Sequence, residues 1–207
     1  MEGWCAFVDE SRKPLRDLGT GRVAPTLLSH YAIAAAIVID DLDSARSELS
    51  DIADRLGCPV HYNNLGHTTR AALLDEVAAM TIDWACVIAE TSEPVRIQVP
   101  DRQIRDRTLA TLLPYLAEQL HIEHTVLESR GKPGSGFEIL DDHDHRTLQR
   151  LRDKKLVAGQ LRIEHRTKDE TLLALADIVA GARTDHLCHV RYDLYPRIAH
   201  RATILPC

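Results

Sequence analysis

Asp177 lies inside the run Leu172-Leu173-Ala174-Leu175-Ala176-Asp177-Ile178-Val179-Ala180, a carboxylate with no cation among its neighbours. Holding an ionised carboxylate away from water is costly unless a cation or a hydrogen-bond donor meets it. The segment is expected to be a buried or half-buried helix, so its acid is expected to face a site. Asp9 closes a second apolar run, Trp4-Cys5-Ala6-Phe7-Val8, and Glu128 closes a third, His124-Thr125-Val126-Leu127. Alternate residues of a strand share a face. Asp9 therefore goes with Phe7 and Cys5, Glu10 points the other way, and Glu128 goes with Val126. Ligands gather at strand C-termini in open α/β sheets. If the two strands are adjacent, Asp9 and Glu128 are neighbours, and Asp177 reaches them from a helix laid across the sheet. Three carboxylates within about 4 Å repel by about 4 kcal/mol per pair at an effective dielectric near 20. Without a cation, one of them should stay protonated at neutral pH. Mg²⁺ or Mn²⁺ would remove that conflict, and such ions activate water and stabilise the oxygens of a phosphodiester displacement. The plainer alternative has Asp177 bonded to backbone and Asp9 ending its strand at the surface.

The elements that must position these acids alternate in type. Residues 4–9 read as a strand, and Leu27 to Ile39 as a second strand running into Asp40-Asp41, a good N-cap pair. Leu42, Ala45, Leu49, Ile52, Ala53 and Leu56 recur at helical spacing, and Gly57 should stop that helix. A short strand is expected at Val60-His61-Tyr62, a helix from Thr68 to Met80, and a strand from Trp84 to Ala89. Ile104 to Leu120 reads as a helix that Pro114 kinks or splits. His124 to Glu128 is a strand, Asp144 to Lys155 a helix, Gln160 to His165 a strand, and Thr171 to Arg183 the last clear helix. Residues 189–207 show no firm period, and Gly131 to Gly136 reads as a flexible rim. The alternation predicts an α/β layer structure in one domain spanning 1–207, with a core over about 4–183 and a tail at 184–207.

Bulk properties narrow the function. Hydrophobic residues make up 44% of the 207, enough for one good core, whereas 4% aromatics leaves little for base stacking. Five dispersed cysteines without a CxxC pair argue against a zinc ribbon or a disulfide framework and for a reducing, cytoplasmic setting. No signal peptide is apparent, and the longest apolar run, Tyr31 to Ile39, is about half a membrane span. The net charge of −6 opposes indiscriminate polyanion binding, yet Arg146 to Lys168 holds eight Lys and Arg against two acids. That stretch either meets phosphates along one edge or forms a solvated helix face. Asp141-Asp142-His143-Asp144-His145 is read as a helix cap rather than a metal cluster, and joint ligation by His121 and His124 is not expected. Gly19 to Ala24 fits a dinucleotide fingerprint only loosely, and no Walker loop, nucleophile elbow or HExxH occurs. His61 has three open readings: a general base, a partner of a carboxylate, or a core histidine.

The segments Phe7-Val8-Asp9-Glu10-Ser11, Val60-His61-Tyr62-Asn63-Asn64, Thr125-Val126-Leu127-Glu128-Ser129 and Leu172 to Ala182 resemble the bacterial domain-of-unknown-function 3800 family over roughly residues 4–183. The resemblance implies a ribonuclease H-like mixed central sheet flanked by helices, with an acidic divalent-metal site of nuclease type. Asp9, Glu128 and Asp177 match its acidic positions, and His61 matches its recurrent histidine. Arg12 stands where the family usually has glycine, which alters the turn and adds charge beside the site. The segment His165 to Glu170 departs from the family pattern and leaves the fourth ligand ambiguous. Glu170, seven residues before Asp177 and so on nearly the same helix face, is preferred over Asp169, although either also suits a helix start.

The expected function is a Mg²⁺- or Mn²⁺-dependent nuclease or phosphodiesterase. Asp9, Glu128, Asp177 and Glu170 would hold metal, His61 would stand beside them, and DNA or RNA would be guided by Arg146 to Lys168. A homodimer or a protein partner is a further expectation. The rivals are a catalytically inactive ribonuclease H-like binding or assembly module in a bacterial defence or mobile-element system, and a small-molecule phosphohydrolase.

Overall fold

The computed structural model describes residues 4–14, 28–39, 41–57, 61–94, 101–129 and 138–207. Three long strands, β1 (Cys5–Pro14), β2 (Leu28–Val38) and β3 (Trp84–Pro94), form an antiparallel meander. Two short strands, β4 (His124–Glu128) and β5 (Arg162–Arg166), add in parallel on the far side of β1. A last strand, β6 (Ala202–Pro206), runs parallel to β3 at the other edge, giving the order β5-β4-β1-β2-β3-β6. This is an α/β fold: a mixed six-stranded sheet flanked by helices on both faces.

Helices α1 (Leu42–Leu56), α2 (His67–Ala78) and α5 (Leu173–Leu187) cover one face. Helices α3 (Asp101–Pro114) and α4 (Glu138–Asp153) cover the other. Side-chain alternation divides the strands between two cores: Cys5, Phe7 and Val126 pack under α5, and Ala6, Val8 and Leu127 pack under α3 and α4. Helix α5 is buried along almost its whole length, as expected of a helix that is apolar all round. The β2 residues beneath it are Ala32, Ala34 and Ala36, small enough for a close approach. Ser11 Oγ and Thr184 Oγ1, 2.8 Å apart, tie α5 to β1.

Helix α1 begins and ends as the sequence predicts. Asp41 accepts the Ser44 N–H at 2.9 Å, and Gly57 adopts φ +62° to close the C-terminus. The effect of Pro114 is a change of pitch, because α3 passes at that residue into a π-helical turn, Tyr115–Gln119. The strand expected at Val60-His61-Tyr62 is not formed at His61 and Tyr62. Tyr62–Asn64 is a 3₁₀ turn instead, and the Tyr62 N–H goes to Asp177 rather than to a sheet ladder. The tail at residues 189–207 contributes two 3₁₀ turns and β6, whose pairing with β3 is non-local and leaves no periodic trace. Val60, Asp40, Gly19 to Ala24 and Gly131 to Gly136 lie outside the described residues. Among the described residues, no helix is long and apolar enough to cross a membrane.

Candidate active site

The β1–β4 ladder ends at the pair Val8↔Leu127, so Asp9 and Glu128 are the next residues on adjacent parallel strands. Both emerge on the α5 face where the short strand β4 stops. Their carboxyl groups are hydrogen-bonded to each other. Asp9 is only 4% exposed. Burial, then the hydrogen bond and charge of Glu128, then the charge of Asp177 push its pKa up to about 10. Lys168 Nζ stands 3.2 Å from Glu128 and supplies the nearest opposing charge.

Asp177 comes to this point from α5, 5% exposed. Its Oδ2 accepts the Tyr62 N–H at 3.0 Å and lies 3.0 Å from His61 Nδ1. Two contacts on one oxygen hold the carboxylate in place. His61 is therefore a partner of a carboxylate, partly exposed at the cleft, rather than a core histidine. The His61–Tyr62 segment is itself anchored one helical turn pair further along α5. Tyr62 Oη donates to Asp185 Oδ2 at 3.0 Å, and Arg70 reaches the same oxygen at 2.7 Å while lying over the Tyr62 ring. Lys13 Nζ reaches Asp185 Oδ1 at 2.6 Å, and burial lowers the Lys13 pKa. At Gly181, a Cβ would fall 2.2 Å from Tyr62 Cδ1, so the ring packs directly on the helix backbone. An eight-residue spacing puts Asp177 and Asp185 on similar faces of α5.

The structure brings together Asp9, Glu128, Asp177 and His61, which line one cleft. Glu170 goes elsewhere. Because α5 starts only at Leu173, the helical projection from Asp177 does not extend back to Glu170. Glu170 accepts both Nε and Nη2 of Arg46 at 3.0 Å and the Leu172 N–H at 3.2 Å, so it caps the helix approach and tethers α1. Burial acts upward on its pKa, but Arg46 and the Leu172 N–H hold it below the usual range.

The basic stretch is divided by the sheet. Arg146 and Arg150 project from α4 on the opposite layer, where Arg150 pairs with Asp106, and Arg152 donates to the Leu161 carbonyl. Lys168 alone of that stretch lines the acidic cleft. Arg12 lines its polar side, as expected of a charge beside the site, whereas Lys13 and Asn63 on the same side and the Tyr62–Asp185–Arg70 anchor beneath it were not foreseen from the sequence. A second acid inside the same apolar helix, Asp185, was the available signal for that anchor.

On the α3–α4 face, Glu10 points away from Asp9 as expected and pairs with Arg105. Arg105 also holds Asp144, which His165 Nε2 approaches to 3.0 Å. Burial acts upward on the Asp144 pKa, yet His165 and Arg105 keep it below the usual carboxylate range. Asp141 and Asp142 do not cap α4, because that helix already begins at Glu138, and among the described residues no three His, Cys, Asp or Glu side chains form a ready-made metal cage.

No protein-family model matches the chain, and no curated protein matches it. A chain in the structure of the PCNA:RNase HII complex from Archaeoglobus fulgidus is similar to it, with a TM-score of 0.49 and 15% identity over 92% of this chain and 78% of that chain. The fold class stands on the sheet order described above.

Proposed function

We propose that this chain is a divalent-metal-dependent phosphodiesterase of nuclease type, working at the cleft formed by Asp9, Glu128 and Asp177. One observation carries the reading: two carboxyls from adjacent parallel strands are pressed into contact, with a third charge close by on a buried helix. Such an arrangement works against folding unless a proton or a cation sits between the oxygens. The donors are all hard oxygens, the set that suits Mg²⁺ or Mn²⁺. When bound, such an ion would neutralise the acids and supply Lewis-acid activation of water for displacement at phosphorus. The resemblance to the bacterial domain-of-unknown-function 3800 family supports the same reading.

The remaining groups have definable roles in it. His61 and the Tyr62 N–H orient the Asp177 carboxylate. Lys168 balances Glu128 and, half exposed, can turn to a substrate phosphate. Arg12 and Lys13 add positive charge on the polar side of the cleft. Glu170 has a structural role, as the partner of Arg46.

The test is cleavage of labelled DNA and RNA with Mg²⁺ or Mn²⁺, with chelator as control. Asp177→Asn should abolish cleavage without loss of folding, whereas Glu170→Gln should retain it. Failure of the wild-type chain to cleave any nucleic acid with either metal would overturn the proposal. The Lys168–Glu128 pair favours a second reading, because its ammonium already supplies a cation to the acids. On that reading the chain is a catalytically inactive binding or assembly module, and nucleic acid or a protein partner is retained in Asp177→Asn.

A further inference from the structure

Two cavities of opposite character meet at the three acids, and Asp9, Glu128, Lys168 and Asp177 line both. One is about 200 Å³, walled by Leu49 and Ala53 of α1 and by Leu173 and Ala174 of α5, with Ser50, His61 and Thr171 at its margin. The other is about 460 Å³ and polar, edged by Arg12, Lys13 and Asn63. Building on the phosphodiesterase reading, we propose that the cleft takes single-stranded nucleic acid with one base unstacked into the apolar cavity and the adjoining sugar-phosphate chain along the polar one.

The assignment follows from what each cavity tolerates. A phosphate brought between Leu49, Ala53 and Leu173 would lose its hydration against side chains that offer it no hydrogen bond. A nucleobase has an apolar face for those side chains and a polar edge for Ser50, Thr171 or His61. Whatever occupies this cavity must also be attached to the group held at the acids, because the two spaces share those side chains. The larger cavity suits the opposite chemistry. Arg12, held by the Ser29 hydroxyl, and Lys168, half exposed beside Glu128, offer positive charge to a backbone, whereas Lys13 is paired with Asp185 and the acid Glu10 with Arg105. A space of about 200 Å³ between two helices admits one base and not a base pair. A paired base would first have to leave its stack, which costs free energy that a single strand does not require.

Binding measured without cleavage separates this inference from the phosphodiesterase reading. With calcium replacing magnesium, fluorescence anisotropy would compare a fluorescein-labelled oligothymidylate, its duplex with oligoadenylate, and a fully abasic strand of equal length. The single strand should bind about tenfold more tightly than either of the others, the scale expected for burying one base. Ala53→Phe, which fills the cavity, should lower its affinity to that of the abasic strand. Ser50→Trp on the same wall gives a second variant, and thermal melting checks that both are folded. Equal binding of the duplex or the abasic strand by the wild-type chain, or no binding at all, would overturn the inference. So would an undiminished preference in both folded variants. Base-dependent binding without cleavage would sink the phosphodiesterase reading and leave this one standing, and cleavage without base dependence would do the reverse.

Discussion

Replacing Asp9 by Asn should stabilise the metal-free protein at neutral pH while removing its response to metal. The Asp9 carboxyl is raised from 3.8 to about 10 by burial and by its acidic neighbours. The folded chain therefore holds a proton there that the unfolded chain releases. For a group shifted in this direction, stability is fully present below the unfolded pKa and is lost as pH rises towards the folded one. The loss runs at about 1.4 kcal/mol for each pH unit. By pH 7 it amounts to about 4 kcal/mol, a figure set by the distance from the unfolded pKa so long as the folded value stays above 7. Asn carries no charge to neutralise, its carbonyl oxygen can still accept the Glu10 N–H that Asp9 accepts at 2.7 Å, and its amide can donate to Glu128. Urea denaturation in chelator, followed by the fluorescence of the buried Trp84, would measure both chains from pH 5 to pH 8. The wild-type midpoint should fall with pH relative to Asp9→Asn, and added Mg²⁺ or Mn²⁺ should close the gap by stabilising only the wild type. Parallel pH curves, or an Asp9→Asn chain less stable than wild type at pH 7, would refute the reasoning.

Gly181→Ala drives a methyl into the Tyr62 ring, so the protein should lose about 1–3 kcal/mol of stability. Cleavage should fall further than melting predicts, because His61 and the Tyr62 N–H lose their hold on Asp177; melting and kcat on the same preparation would check both. Arg105→Met removes the guanidinium that Glu10 and Asp144 share in a buried site and should cost about 3–5 kcal/mol near neutral pH. In the wild type the lowered Asp144 pKa contributes stability that is present above the unfolded carboxylate pKa and lost as pH falls. The difference between the two chains should therefore narrow in acid, as a pH series of denaturation midpoints would show.

Where residues respond to their immediate neighbours, the sequence was legible. The Asp41 cap, the Gly57 stop, the strand at His124–Glu128 and the opposite facings of Asp9 and Glu10 each follow from capping, left-handed backbone or two-residue alternation. The buried acid in α5 was visible for the same reason: a charge among so many apolar residues must meet a partner. The departures share a different cause. Glu170 was placed by extending α5 one turn too far, and its true direction depends on Arg46, 124 positions away. The strand expected at His61-Tyr62 is a 3₁₀ turn because its N–H is spent on α5. The basic stretch from Arg146 to Lys168 is continuous in sequence but crosses from one layer to the other, so only Lys168 reaches the acids. Strand β6 has no local signature because its hydrogen bonds come from a partner more than a hundred residues earlier.

From composition and periodicity alone came the types of most elements, the facing of the strand residues, and three acids singled out as candidates, Asp177 among them because a carboxylate inside an apolar helix needs a partner. The tertiary structure decided their company. By laying β4 beside β1 and α5 across both, it set Asp9 against Glu128, brought His61 to Asp177, turned Glu170 away, and opened an apolar and a polar cavity on either side of the acids. Local propensity acts over a few residues, whereas convergence of charges depends on which strands pair and which helix face is buried, and those are properties of the whole chain.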